Sequence, residues 1–124
     1  MENSKIFKEK NFISLVVYLR NCENNVVDFL INIDKIFNYR FTSFEFVLVN
    51  DDCTDKTIDL VKSISDKLNG NVNLINLAYE HGVEMAMLSG VEFSIGDFIF
   101  EFDNVNIDYD INLVMELYDK ALSG

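Results

Sequence analysis

Apolar positions along this chain keep two rhythms, an unbroken one and a helical one, and the two alternate. Residues 12–19 form a run interrupted only by Ser14, as suits a strand buried on both faces. After a polar break at residues 21–25, Val26, Leu30, Ile33 and Phe37 recur at helical spacing. Phe46-Val47-Leu48-Val49 is a second buried strand that runs straight into Asp51, Asp52 and Asp55. Thr54 and Asp55 are good helix openers, and the stripe Ile58, Val61, Ile64, Leu68 predicts a helix that stops at Asn69-Gly70. Residues 72–77 alternate as a third strand. Over residues 82–94, Val83, Ala86, Met87, Gly90 and Val91 share a helix face, and Gly90, unfavourable inside a helix, implies close packing on a sheet. Residues 98–102 give a fourth strand ending at Asp103, and an acid-rich connector leads to a last helix from about Ile111 to Leu122.

Strand and helix thus alternate four times without a repeat, a linker or a proline. The expectation is right-handed βαβ crossovers and a parallel sheet covered by helices. Two strands end in acids, Asp51 after the second and Asp103 after the fourth. The carboxyl edge of an open α/β sheet is where ligands bind. Bare phosphate prefers helix N-termini free of negative charge, so carboxylates there suit a ligand with N–H or O–H donors, or one arriving with a divalent metal. Asp52 and Asp55 are placed to serve the N-terminus of the following helix through its dipole, and Asp97 to close the turn into the fourth strand.

Composition narrows the ligand further. A chain of 124 residues is one domain, and its 49% apolar content reads as globular. The formal net charge of -11 argues against nucleic acid or an anionic membrane surface as partner. The longest apolar run is too short to span a bilayer and is followed by Arg20 rather than a cleavage site, so no membrane segment or leader is expected. Cys22 and Cys53 are too few for a disulfide scaffold and fit two thiols, close together past two strand ends, in a reducing cytoplasm. His81 is the single histidine and reads as a solvated loop residue. Phe98, Phe100 and Phe102 make a core or interface stripe.

The motifs, in order, resemble the nucleotide-sugar-binding half of a family 2 glycosyltransferase of the GT-A fold. Val49-Asn50-Asp51-Asp52-Cys53-Thr54-Asp55-Lys56-Thr57 is similar to the family's VNDGSTDxT segment, with Asp52 and Cys53 where Gly and Ser are usual. Ser14-Leu15-Val16-Val17 and Asn21-Cys22-Glu23-Asn24-Asn25 resemble its opening strand and polar turn, without the usual proline and tyrosine. Gly82, Ala86, Gly90 and Gly96-Asp97-Phe98-Ile99 match the spacing GxxxAxxxGxxxxxGDxI.

This resemblance implies a Rossmann-like three-layer α/β/α fold with a four-stranded, mainly parallel sheet in the order 3-2-1-4. It implies nucleotide contacts at Asn21, Asp51 and Asp103, with Asp51 accepting from the N3–H of uracil and Asp103 as the first acid of the DxD motif. Residues i and i+2 of an extended segment point the same way, so two acids there can share one ribose–metal–diphosphate unit. Here the motif reads Asp103-Asn104-Val105, which weakens the Mg²⁺ or Mn²⁺ site, with Asp108 or Asp110 as candidate substitutes. The implied reaction is hexosyl transfer from a nucleotide-diphosphate sugar, most commonly UDP-linked, to an acceptor hydroxyl. The acceptor-binding half, with its general base, is expected to be absent from these 124 residues, and activity is not expected from them alone. An apolar fourth-strand edge without that half predicts a homodimer through this region. The rival readings are a catalytically dead sugar-nucleotide-binding or protein-interaction domain and a receiver-like signalling domain. The latter needs its acid pair after the first strand and a lysine after a late one.

Overall fold

The computed structural model describes residues 8–106 and 111–123. The elements run β1 (Ile13–Leu19), α1 (Val26–Arg40), β2 (Phe44–Asn50), α2 (Thr57–Ile64) with a 3₁₀ turn over Ser65–Lys67, β3 (Asn71–Asn76), α3 (Val83–Phe93), β4 (Phe98–Phe102) and α4 (Ile111–Ser123). All pairings are parallel, in the order β3-β2-β1-β4. This is the expected order. It also differs from the 2-1-3-4-5 order of receiver-type folds, which removes that rival.

The order explains where the helices lie. From β1 through β3 the chain steps in one direction, so right-handed crossovers place α1 and α2 on one face; the return from β3 to β4 reverses direction and sends α3 to the other. Two cores follow. The larger contains Leu15, Val17, Leu19, Phe29, Leu30, Phe37, Phe46, Leu48, Val61 and, from α4, Tyr118. The smaller is Val16, Val47 and Val49 against Ala86 and Met87 of α3. Each such side chain removed from water contributes roughly 1.5–3 kcal/mol before entropy is counted. Gly90 sets the depth of α3: a Cβ there would stand 2.5 Å from Val16 Cγ1 and 2.9 Å from Val49 Cγ2.

Several boundaries shift from expectation. The second strand starts two residues earlier, at Phe44, and takes in Glu45. Glu45 is 3% exposed, and its carboxylate accepts from Ser14 Oγ (2.5 Å), Asn73 Nδ2 (2.9 Å) and the Ile95 N–H (3.2 Å), so this acid is a buried tie between β1, β2, β3 and the α3–β4 turn. The second helix begins at Thr57 rather than at Thr54-Asp55 and tightens into the 3₁₀ turn before Leu68. There Asp34 of α1, 5% exposed, accepts from the backbone N–H groups of Asn69 and Gly70 and fixes the entry to β3.

Asp97 closes the turn into β4 as expected, its Oδ2 accepting from Phe12 N at 2.8 Å while its own N–H donates to Phe12 O at 2.7 Å. The phenylalanine stripe of β4 points into the larger core. Phe102 is 2% exposed, and Phe98 and Phe100 pack on Tyr118, Phe100 also on Phe37. Phe98 and Phe100 stay half-buried, so the apolar surface left at this edge is a groove between β4 and α4 to which they contribute with Ile99 and Leu117. Among the described residues, no helix is long and apolar enough to cross a membrane.

Candidate functional site

Because the chain reverses direction after β3, β4 is set beside β1 on the side away from β2. The point where the strand order reverses, between β1 and β4, is the topological switch point of an open α/β sheet. A crevice of about 390 Å³ opens there, lined by Tyr18 and Arg20 at the end of β1, Cys22 and Asn25 in the turn to α1, and Asp103, Asn104, Val105 and Asn106 after β4. Asp103 also borders a second cleft of about 460 Å³ between α3 and β4, with Glu84, Leu88 and Glu101.

Of the three expected contact residues, only Asp103 lines the crevice. Asp51, beyond β1 at the end of β2, is fully buried. It accepts from Tyr18 Oη at 2.7 Å and from the N–H groups of His81 at 2.7 Å and Gly82 at 3.0 Å. Burial alone raises its pKa, but those bonds from His81, Tyr18 and Gly82, with the His81 charge, outweigh it and hold the carboxyl below its ordinary value. Burial also pushes the Tyr18 phenol up, helped by its bond to Asp51, so the phenol stays a proton donor to that carboxylate. Asp51 thus ties β1, β2 and the β3–α3 loop together, and Tyr18 carries its influence into the crevice. Gly82 can sit in that loop because its φ is +90°.

Asn21 is likewise spent on architecture. With φ +47°, it turns its Oδ1 toward the N–H groups of Thr54 (2.7 Å) and Asp55 (3.2 Å), tying the β1–α1 turn to the β2–α2 turn. The same seam is closed by Cys22 N to Thr57 Oγ1 (2.8 Å), Glu23 N to Asp55 Oδ2 (3.1 Å) and Lys56 N to Glu23 Oε1 (2.9 Å). Asp55 also accepts from Thr57 N at 2.9 Å, as a residue serving the start of α2 should. Asp52 stands at φ +59°, a left-handed position that a glycine takes easily and an aspartate tolerates.

The two cysteines sit as free thiols on this seam. Burial pushes the Cys22 thiol up to about 11, against the hydrogen bond from Thr57, and burial raises Cys53 as well, so neither is an activated nucleophile. The ring of His81 lies stacked on Tyr79 at 4.2 Å between centroids, and it is the backbone of His81 that serves the site.

The DxD-like segment departs from the geometry expected for it. β4 ends at Phe102, and Asn104 Oδ1 accepts from Asn106 N at 2.8 Å, bending the chain just after Asp103. Alternation breaks at that bend: Asp103 is exposed, whereas Val105 is 4% exposed and belongs to the larger core. Among the described residues no group of three or more His, Cys, Asp or Glu side chains could hold a metal ion. Asp108 and Asp110 lie outside the described residues. Asp103 alone fits a cation whose other ligands are substrate phosphates and water, a mode Mg²⁺ adopts.

The residues that sequence reasoning missed are Tyr18 and Arg20. Arg20 donates to the carbonyl oxygens of Asp52 and Asp51, the latter at 3.4 Å, and pairs with Glu80 at 3.4 Å. A cation directly after a strand, at an edge otherwise rich in acids, is the signal that could have found it.

Comparison with known proteins agrees with this fold. The solved mannosyltransferase PcManGT from Pyrobaculum calidifontis, in complex with GDP-Man and Mn²⁺, superposes with a TM-score of 0.66 at 19% identity, over 77% of this chain and 28% of that one. TarS from S. aureus gives a TM-score of 0.62 at 23% identity, over 87% of this chain and 19% of that one. An uncharacterized glycosyltransferase of Synechocystis sp. is 25% identical over 114 residues, 90% of this chain and 35% of the relative. The chain therefore spans about a third of the curated relative's length. The model of glycosyl transferase family 2 matches residues 14–104, from the first strand to the bend beside Asp103, and the chain belongs to that family.

Proposed function

We propose that this chain is the donor-binding half of a family 2 glycosyltransferase, holding a nucleoside-diphosphate sugar, with UDP as carrier, across the carboxyl edge of its sheet. The observation that carries the reading is the crevice at the β1/β4 switch point with Asp103 in its wall. The ribose and diphosphate lie along Asp103, the one carboxylate offered to a Mg²⁺ or Mn²⁺ ion that enters with the diphosphate. Asp51 positions Tyr18 and the 79–82 loop, and Asn21 fixes the turn that forms the crevice rim. That division of labour follows from burial: a fully buried carboxylate with three donors has little left for a base, whereas Asp103 is exposed to a ligand.

The bound metal, when present, would supply positive charge for the leaving diphosphate. The chain's own part is to hold the donor with its anomeric carbon turned toward the acceptor. The acceptor site and the base that takes the acceptor's proton come from outside these residues. The length of the curated relative supports that assignment.

Calorimetric titration of the chain with UDP and GDP in the presence of Mg²⁺ tests the reading. UDP should bind, and Asp103→Ala should weaken it about tenfold, the loss of one charge-assisted contact. Equal affinity in the variant would remove Asp103 from the site, and no binding of either nucleotide would overturn the reading.

A further inference from the structure

The carboxyl edge is strongly acidic: Asp51, Asp52, Asp55, Glu80 and Asp103 all gather around β1 and β2, on a chain whose net charge is -11. A diphosphate entering such a field needs a counter-charge. In the crevice, the second acid that would hold a metal is replaced by Val105, which is turned into the core. Among the described residues lining the crevice, Arg20 is the one cation.

The setting of Arg20 suits it to a phosphate. Its Nη1 is anchored on the backbone carbonyls of Asp51 and Asp52, which fixes the plane of the guanidinium without neutralising it. Its Nη2 pairs with Glu80, whose side chain is 55% exposed and so exchangeable. These contacts engage at most three of five N–H donors. A planar fork held on neutral acceptors is preorganised for bidentate phosphate binding, and the 3.4 Å contact to an exposed Glu80 is a surface pair that a diphosphate can displace.

Resting on the donor-binding reading above, we propose that Arg20 is the diphosphate-binding residue of this site, and that Glu80 holds its place when no nucleotide is bound. Arg20 supplies by a fixed side chain the charge that the weakened metal site does not. Binding then depends on the diphosphate more than on the metal, and Glu80 competes with the ligand.

The test is calorimetry with UDP and with uridine, each in Mg²⁺ and in EDTA, on the wild-type chain, Arg20→Gln and Glu80→Gln. Arg20→Gln should weaken UDP tenfold or more while leaving uridine unchanged. Glu80→Gln, which keeps Arg20 and its carbonyl anchors, should tighten UDP severalfold with no effect on uridine. Wild-type affinity for UDP should fall by less in EDTA than it does in Arg20→Gln. Two results overturn the assignment while leaving the donor site standing: UDP affinity unchanged in both variants, or UDP and uridine lost equally in Arg20→Gln with no gain in Glu80→Gln. Failure of the wild-type chain to bind UDP at all overturns the donor reading itself and this assignment with it.

Discussion

Asp51 shows how a single residue can look like a ligand contact and serve as a keystone. Its place at the end of β2 is legible from sequence, because four apolar residues followed by acids fix a strand end. Its burial is not legible, because the three donors that satisfy it come from residues 18, 81 and 82, on β1 and the β3–α3 loop. The structural role of Asn21 is hidden for the same reason, its partners lying more than thirty residues away. Asp51→Asn turns an N–H₂ group toward N–H and O–H donors and should destabilise the fold by about 1–3 kcal/mol at neutral pH. The sign of its pH dependence is set by the lowered pKa. The contribution of Asp51 is complete above the ordinary 3.8 of an aspartate and is lost as pH falls through the still lower folded value. Urea unfolding of both proteins between pH 7 and pH 2.5 should therefore show their stabilities converging in acid; a gap independent of pH would contradict the assignment.

Among the elements, α3 depends most on one small residue. The sequence shows that Gly90 has a packing reason but not how close the approach is. The structure supplies that through Val16 and Val49 of the neighbouring strands. Two effects oppose each other in Gly90→Ala. Helix propensity favours alanine by about 1 kcal/mol, whereas forcing a methyl within 2.5 Å of Val16 Cγ1 displaces a strand side chain and costs about 1–3 kcal/mol. Overpacking should win, giving a lower urea midpoint, while a raised midpoint would mean that α3 stands further from the sheet. The end of β4 was legible less well. Its apolar run is plain, but the bend at Asn104 depends on a side-chain-to-backbone bond that no periodicity records, and it sends Asp103 and Val105 to opposite sides. Restoring an acid by Val105→Asp would place a carboxylate in the core rather than complete a metal site.

At the scale of the whole molecule, strand order decides where chemistry can occur. The alternation of strands and helices made the parallel sheet readable, and the family motifs carried its order. The crevice itself arises only when β4 returns to the far side of β1, so its two walls come from residues 18–25 and 103–106, far apart in the sequence. The apolar groove of about 310 Å³ between β4 and α4 is lined by Phe98, Phe100, Leu117 and Tyr118 and has no polar side chain but Glu101 and the tyrosine hydroxyl, so it offers a nucleotide little to recognise. The central claim is that donor nucleotide binds at the switch point. An amide-shift NMR titration of the 124-residue chain with UDP and Mg²⁺ tests it most directly. The account predicts shifts concentrated at residues 18–25 and 103–106, with smaller ones at 80–82, where Glu80 and the Asp51 donors respond. Shifts confined to the β4–α4 groove, or none at millimolar nucleotide, would contradict it.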